Sequence, residues 1–134
     1  MAFSELDVLE ANNAFYDAFA RRDRDAMGRV WSEVAPLVCV HPGWRPVFGR
    51  RAVLDSWKRI FAASDKPVDV RTTHASVHKV AGAALVVCFE LIGERALVAS
   101  NTFVEENGGW RLVHHHSTPV SKAPELQVDP DKVH

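Results

Sequence analysis

The hydrophobic period of this chain changes once along its length, and that change limits the folds open to it. Before Ser64 apolar residues recur mainly three and four apart; after Pro67 they alternate with polar ones or run continuously. Helices gathered ahead of strands argue for an α+β domain, with the helices packed on one face of a mostly antiparallel sheet.

The helical half divides into three. From Leu6 to Ala20 one row holds Leu6, Leu9, Tyr16 and Ala20 and the next holds Val8, Phe15 and Phe19, leaving Glu5, Asp7, Asp17 and Arg21 outside. Asp23 is placed to cap a short second helix carrying Ala26, Met27, Val30 and Trp31. Ala35 to Val40 is an apolar run that reads as a strand after Pro36, and His41-Pro42-Gly43 turns the chain. An extended piece, Arg45 to Phe48, leads to a third helix, Arg50 to Ala63. That helix is expected to bury Val53, Leu54, Trp57, Ile60 and Phe61 and to leave Arg50, Arg51, Lys58 and Arg59 in water.

Four long strands follow: Val68–Val80, Ala83–Ile92, Arg95–Glu105 and Trp110–Thr118. Ala81-Gly82, Gly93-Glu94 and Asn107-Gly108 join them as hairpins. Strands this long can curl around the helices. Residues 1–119 are read as the domain and 120–134 as a tail, flexible or laid as a strap over a neighbour, with Pro124 and Pro130 in it.

At 134 residues the chain has room for one domain. A net charge of −1 gives no drive toward nucleic acid or membrane, and no run approaches the roughly 20 apolar residues of a membrane helix. Met1 to Glu10 is acidic and lacks the pattern of a secretion signal. Cys39 and Cys88 lie in strand-like apolar runs and read as buried free thiols, which fits a cytoplasmic protein. There is no phosphate loop, dinucleotide fingerprint or nucleophile elbow, so no cofactor is expected. His114-His115-His116 has no carboxylate or cysteine at ligand spacing, so no metal is expected either.

Several segments, in this order, carry a family resemblance: Phe15-Tyr16-Asp17-Ala18-Phe19 with Arg22-Asp23; Val40-His41-Pro42-Gly43-Trp44; Val47-Phe48-Gly49-Arg50; and Gly109 through Ser117. Together the chain resembles the nuclear transport factor 2-like superfamily, and within it the SnoaL-like polyketide cyclase and ketosteroid isomerase branch. The association domain of the calcium/calmodulin-dependent kinases shares the same order of elements. The resemblance implies a cone-shaped fold with three helices in the concave face of a curved sheet, a pocket inside the cone, and a homodimer through the outer sheet face. Function does not follow from this fold, which hosts isomerases, dehydratases, cyclases, hydrolases and assembly domains.

Four residues are candidates for chemistry. The resemblance places His41 where the isomerases keep a carboxylate base; an imidazole there has a proton affinity suited to general-base work. It places Asn101 facing the pocket, where an amide can donate to a carbonyl or enolate oxygen. Glu90, the one charge in Ala83–Ile92, is expected to have a raised pKa if enclosed, and to serve proton transfer, to partner a histidine or arginine, or to anchor a basic ligand. Alternation puts either His115, or His114 and His116, inward. A two-residue Asn107-Gly108 turn favours the pair, and a three-residue turn with Gly108 in a bulge favours His115 alongside Ser117. The second arrangement is preferred, on the match of Ser117 to a pocket residue of the kinase domains. Trp44, Tyr16, Phe103, Trp57, Trp31 and Phe15 are candidates to line the pocket. The isomerases' oxyanion-binding tyrosine aligns with Phe15, and Tyr16 lies one place off, a rotation of roughly 100° along a helix. Steroid isomerisation is therefore not expected.

The partner these residues suit is a small apolar organic molecule with a polar acceptor, turned over by cofactor-free isomerisation, cyclisation or dehydration, with His41 as the base, Asn101 and His115 stabilising negative charge and Glu90 tuning one of them. The alternatives are a binding or assembly module without turnover, and a cone filled by its own side chains.

Overall fold

The computed structural model describes residues 3–124. Helix α1 spans Glu5–Arg21, with the Ser4 hydroxyl accepting from the Asp7 N–H at 3.3 Å, and ends where Arg22 turns left-handed. Helix α2, Arg24–Val30, starts at Asp23, whose carboxylate accepts from the Ala26 N–H at 3.0 Å. Then come β1 (Val38–Val40), β2 (Val47–Phe48), α3 (Arg50–Ala62), β3 (Val70–Val80), β4 (Ala83–Ile92), β5 (Arg95–Glu106) and β6 (Gly109–Pro119). The strands form one curved six-stranded sheet in the order β2-β1-β6-β5-β4-β3, antiparallel except where β1 runs parallel to β6. This is the α+β cone expected.

Strand alternation decides what fills the concave face. Ala84, Val86, Cys88 and Glu90 of β4, Leu97, Ala99, Asn101 and Phe103 of β5, and Leu112, His115 and Ser117 of β6 are all buried. They pack on Val8, Asn12, Phe15 and Tyr16 of α1 and on Val53 and Trp57 of α3.

Two expectations fail for local reasons. Leu6 is 65% exposed, because it stands two places before Val8 and so roughly 200° round the helix from the buried row. Arg50 is not left to water: its guanidinium donates to the carbonyls of Gly28 at 2.8 Å and of Trp31 and Ser32 at 3.0 Å. The end of α2 leaves those carbonyls without helical partners, and the first side chain of α3 supplies them.

The last hairpin also differs from expectation. Asn107 and Gly108 both have positive φ, 52° and 79°, and Glu106 pairs with Gly109, so the turn has two residues. The extra residue sits further along β6: Thr102 pairs with His114 but Phe103 with Leu112, leaving Val113 bulged. The bulge flips the phase, so Asn101 still faces His115. Beyond β6, Val120 donates to the Ala96 carbonyl at 3.0 Å; the part of the tail from 125 on lies outside the described residues.

Candidate functional site

Two features of the sheet bring polar groups to one place. The bulge at Val113 turns His115 and Ser117 inward beside Asn101 and Glu90. The parallel pairing of β1 with β6 sets Val40 opposite His116, so His41, one residue on, reaches the same end of the cone.

The inward groups form a directed chain of hydrogen bonds. Asn101 Nδ2 donates to Asn12 Oδ1 at 2.9 Å and to Tyr16 Oη at 3.1 Å. With both amide hydrogens used on that side, Asn101 Oδ1 can only accept, and its partner at 2.6 Å is His115 Nδ1. His115 is thus protonated on Nδ1 and carries its lone pair on Nε2. Tyr16 Oη in turn donates to Glu90 Oε2 at 2.6 Å, and the Ser117 hydroxyl donates to Glu90 Oε1.

Burial shifts these groups strongly. It lowers the His115 pKa to about 3, helped by the neighbouring histidines 41, 114 and 116. It raises Glu90, against the two hydroxyls that favour its ionised form, and raises Tyr16 well above the ordinary phenol value. Hydroxyls can donate to an ionised carboxylate and accept from a neutral acid, so Glu90 has partners in either state.

His41 is held separately. Ser56 on α3 gives its hydroxyl hydrogen to the Val53 carbonyl at 2.6 Å, so the Ser56 oxygen accepts from His41 Nε2 at 2.9 Å and the lone pair falls on Nδ1. Burial and the charge of Arg59 lower the His41 pKa to about 4. Trp44 and Trp57 clasp the imidazole edge-on, each with its ring centre 4.7 Å away.

These groups converge on a cavity of about 210 Å³ at the open end of the cone. Of the residues expected at a site, His41, Glu90, His115, Trp44 and Trp57 line it. Asn101 does not: it is fully buried one layer behind, where it orients His115 instead of facing a ligand. Tyr16 likewise sits behind Glu90, and Phe15, Trp31 and Phe103 belong to the packed core. Those aromatics fill the deep end of the cone, which is why the space left falls below the roughly 300 Å³ at which ordinary ligand pockets begin. Ser117, expected inward beside His115, joins the lining, and so does Arg95, which was not expected there. The signal for Arg95 was available, since it shares the inward phase of Leu97, Ala99 and Asn101.

Larger grooves of about 400 Å³ lie on the surface, one of them between α1 and the β5–β6 hairpin, but no such set of buried polar groups faces them. Cys39 and Cys88 are free and buried, and burial raises both thiols, Cys39 to about 12, which disfavours the thiolate form that nucleophilic chemistry requires. Among the described residues no group of three or more His, Cys, Asp and Glu is placed to hold a metal ion. None of the described helices is long and apolar enough to cross a membrane.

A helix-lined cone with a polar-ended cavity defines the class as nuclear transport factor 2-like. The particular family follows from sequence: residues 8–121 match the model of the SnoaL-like domain, and the chain belongs to that family. A candidate dehydratase of the NTF2-like family from Streptomyces avermitilis is 30% identical, with a TM-score of 0.77 over 87% of this chain and 95% of that one. A candidate calcium/calmodulin-dependent protein kinase type II association domain from Thiobacillus denitrificans is 33% identical, with a TM-score of 0.67 over 83% and 93%. The F-box protein SKIP8 of Arabidopsis thaliana is 23% identical over 112 residues; the match covers 83% of this chain and spans about half of that protein, 48%.

Proposed function

We propose that this chain is a cytoplasmic, cofactor-free lyase or isomerase that moves a proton beside the carbonyl of a small organic molecule, with dehydration the foremost reaction. One observation carries the reading: a neutral imidazole with a free lone pair and a carboxyl group held toward its neutral form line the same small cavity. Acid and base chemistry near neutral pH needs two titratable groups pushed apart in this way.

In a dehydration His115 Nε2 takes the proton from the carbon next to the carbonyl, and the electron pair of that C–H bond forms the new C=C bond. The C–O bond to the neighbouring hydroxyl breaks, and neutral Glu90 protonates the departing oxygen, so water leaves. Glu90 is then ionised, and the hydroxyls of Tyr16 and Ser117, which donate to its two oxygens, stabilise the charge. The proton on His115 returns to Glu90 through water, which closes the cycle. Asn101 positions His115, and the His41 lone pair accepts a hydrogen bond from the ligand. The S. avermitilis relative supports dehydration by its name.

The test is exchange at carbon. Incubation in heavy water with β-hydroxy carbonyl compounds small enough for the cavity should replace the α-hydrogen with deuterium, read by NMR. His115→Gln should slow exchange by about 100-fold or more, the usual contribution of a positioned base. Glu90→Gln should block water loss while sparing exchange. A wild-type protein that binds such compounds without any exchange would overturn the reading.

The T. denitrificans relative favours a second reading, an assembly module. It predicts a defined oligomer and no exchange on any carbonyl compound.

A further inference from the structure

The mouth of the cavity carries two arginines that form no ion pair among the described residues. Arg95 is the first residue of β5 and shares the inward phase of that strand, so it stands at the open end of the cone, exposed, with its side chain lining the cavity. On the other side Trp44 lines the mouth, 38% exposed, and the Arg59 guanidinium lies over its ring at 5.2 Å from the centre. That charge is close enough to depress His41. Neither arginine forms an ion pair with a carboxylate among the described residues; the pairs formed there involve Arg21, Lys58 and Arg71.

The interior is the opposite. Burial favours the neutral form of its imidazoles and of its carboxyl group, and its walls are Phe19, Trp57, Ile60 and Ile92. A ligand matched to this gradient has an uncharged, partly unsaturated body and an anionic group at its outer end. The volume of 210 Å³ sets the size at about ten non-hydrogen atoms at protein-like packing density. A steroid or a fused polyketide is too large.

We infer that the substrate is a small organic carboxylate, held by Arg95 and Arg59 at the rim with its reacting carbons between His115 and Glu90. The inference rests on the proton-transfer reading for the inner end of the ligand only; the charge preference stands on the rim alone. Arginine suits the task because its planar fork matches a carboxylate, and Arg59 is further oriented by its place over the Trp44 ring.

Calorimetric titration with trans-cinnamate and with its neutral amide, cinnamamide, tests the idea on the intact chain. The two probes share shape and size, and differ in charge. Wild type should bind cinnamate about ten-fold or more tighter than the amide, with the difference shrinking as salt rises. Arg95→Gln should remove most of that preference and leave amide affinity unchanged, which also shows that the cavity is intact; Arg95→Gln combined with Arg59→Gln should remove the rest. Equal affinity of wild type for both probes overturns the inference. So does a preference that survives in the double variant, an equal loss of both affinities in Arg95→Gln, or binding of neither probe. A charge preference without deuterium exchange on any substrate would remove the proton-transfer reading alone. Exchange on neutral compounds without a charge preference would remove only the carboxylate.

Discussion

Tyr16 Oη stands at the join of the buried chain, accepting from Asn101 and donating to Glu90. Tyr16→Phe leaves an amide hydrogen and a carboxyl oxygen without partners in dry surroundings, and should lower the unfolding free energy by about 1–3 kcal/mol. Urea denaturation checks this, and a midpoint equal to that of wild type would show that the hydroxyl is replaceable. The same residues set the response to pH. His41 and His115 have folded pKa values of about 4 and about 3, below the ordinary histidine value, so the unfolded chain binds protons first as pH falls. Their stabilising contribution is present above about pH 6.5 and is lost toward about pH 4, at up to about 1.4 kcal/mol per pH unit for each. Glu90 works in the other direction, because its raised pKa removes stability as pH climbs past about 4.5, so it offsets part of the histidine slope. Urea midpoints between about pH 7 and pH 5 should therefore fall with pH, and should fall less in His115→Gln. A wild-type profile no steeper than that of His115→Gln would mean that His115 is not held neutral.

At the scale of elements, the strand phases were legible because period two allows only two answers for each strand. Glu90 read as the one charge on an apolar strand, and it is inward. His115 also came out inward, but the expected reason was the wrong turn. The sequence signal Asn107-Gly108 means a two-residue hairpin, whereas a bulge at Val113 has no composition cue, since valine suits an ordinary strand position. Arg50 and Asn101 escaped for a related reason: their roles depend on which carbonyl or ring nitrogen lies opposite in space, and periodicity says nothing about that. The turn offers its own test. Gly108→Ala puts a side chain at φ 79° and should destabilise by about 1 kcal/mol, while the bulge keeps His115 in register. Cavity binding that survives in that variant, with a lower thermal midpoint, would show the phase to be set at Val113. Loss of binding together with stability would place it at the turn.

The whole molecule poses a question at its convex face. Opposite the buried rows, β4 presents Leu85, Val87, Phe89 and Leu91, and β5 presents Ala96, Val98, Ser100, Thr102 and Val104, all half-buried and none charged. A sheet face left to water ordinarily alternates toward charged and polar side chains, and an uncharged one of this breadth marks a surface that is covered. We propose that a second copy covers it, which agrees with the homodimer that the family resemblance implies and leaves the cavity, on the other side of the sheet, open in both subunits. Phe89 pairs directly with Val98 at the middle of this face, so a charge placed there meets its symmetry partner or the apolar rows beside it. Val98→Lys should convert a dimer into a monomer in sedimentation equilibrium. Because residue 98 points away from the cavity, binding of a cavity ligand should persist in the monomer. A wild-type protein that sediments as a monomer at its highest soluble concentration would refute the covering copy. A dimer untouched by Val98→Lys would place the contact on another surface, and the uncharged face would then need a different partner to explain it.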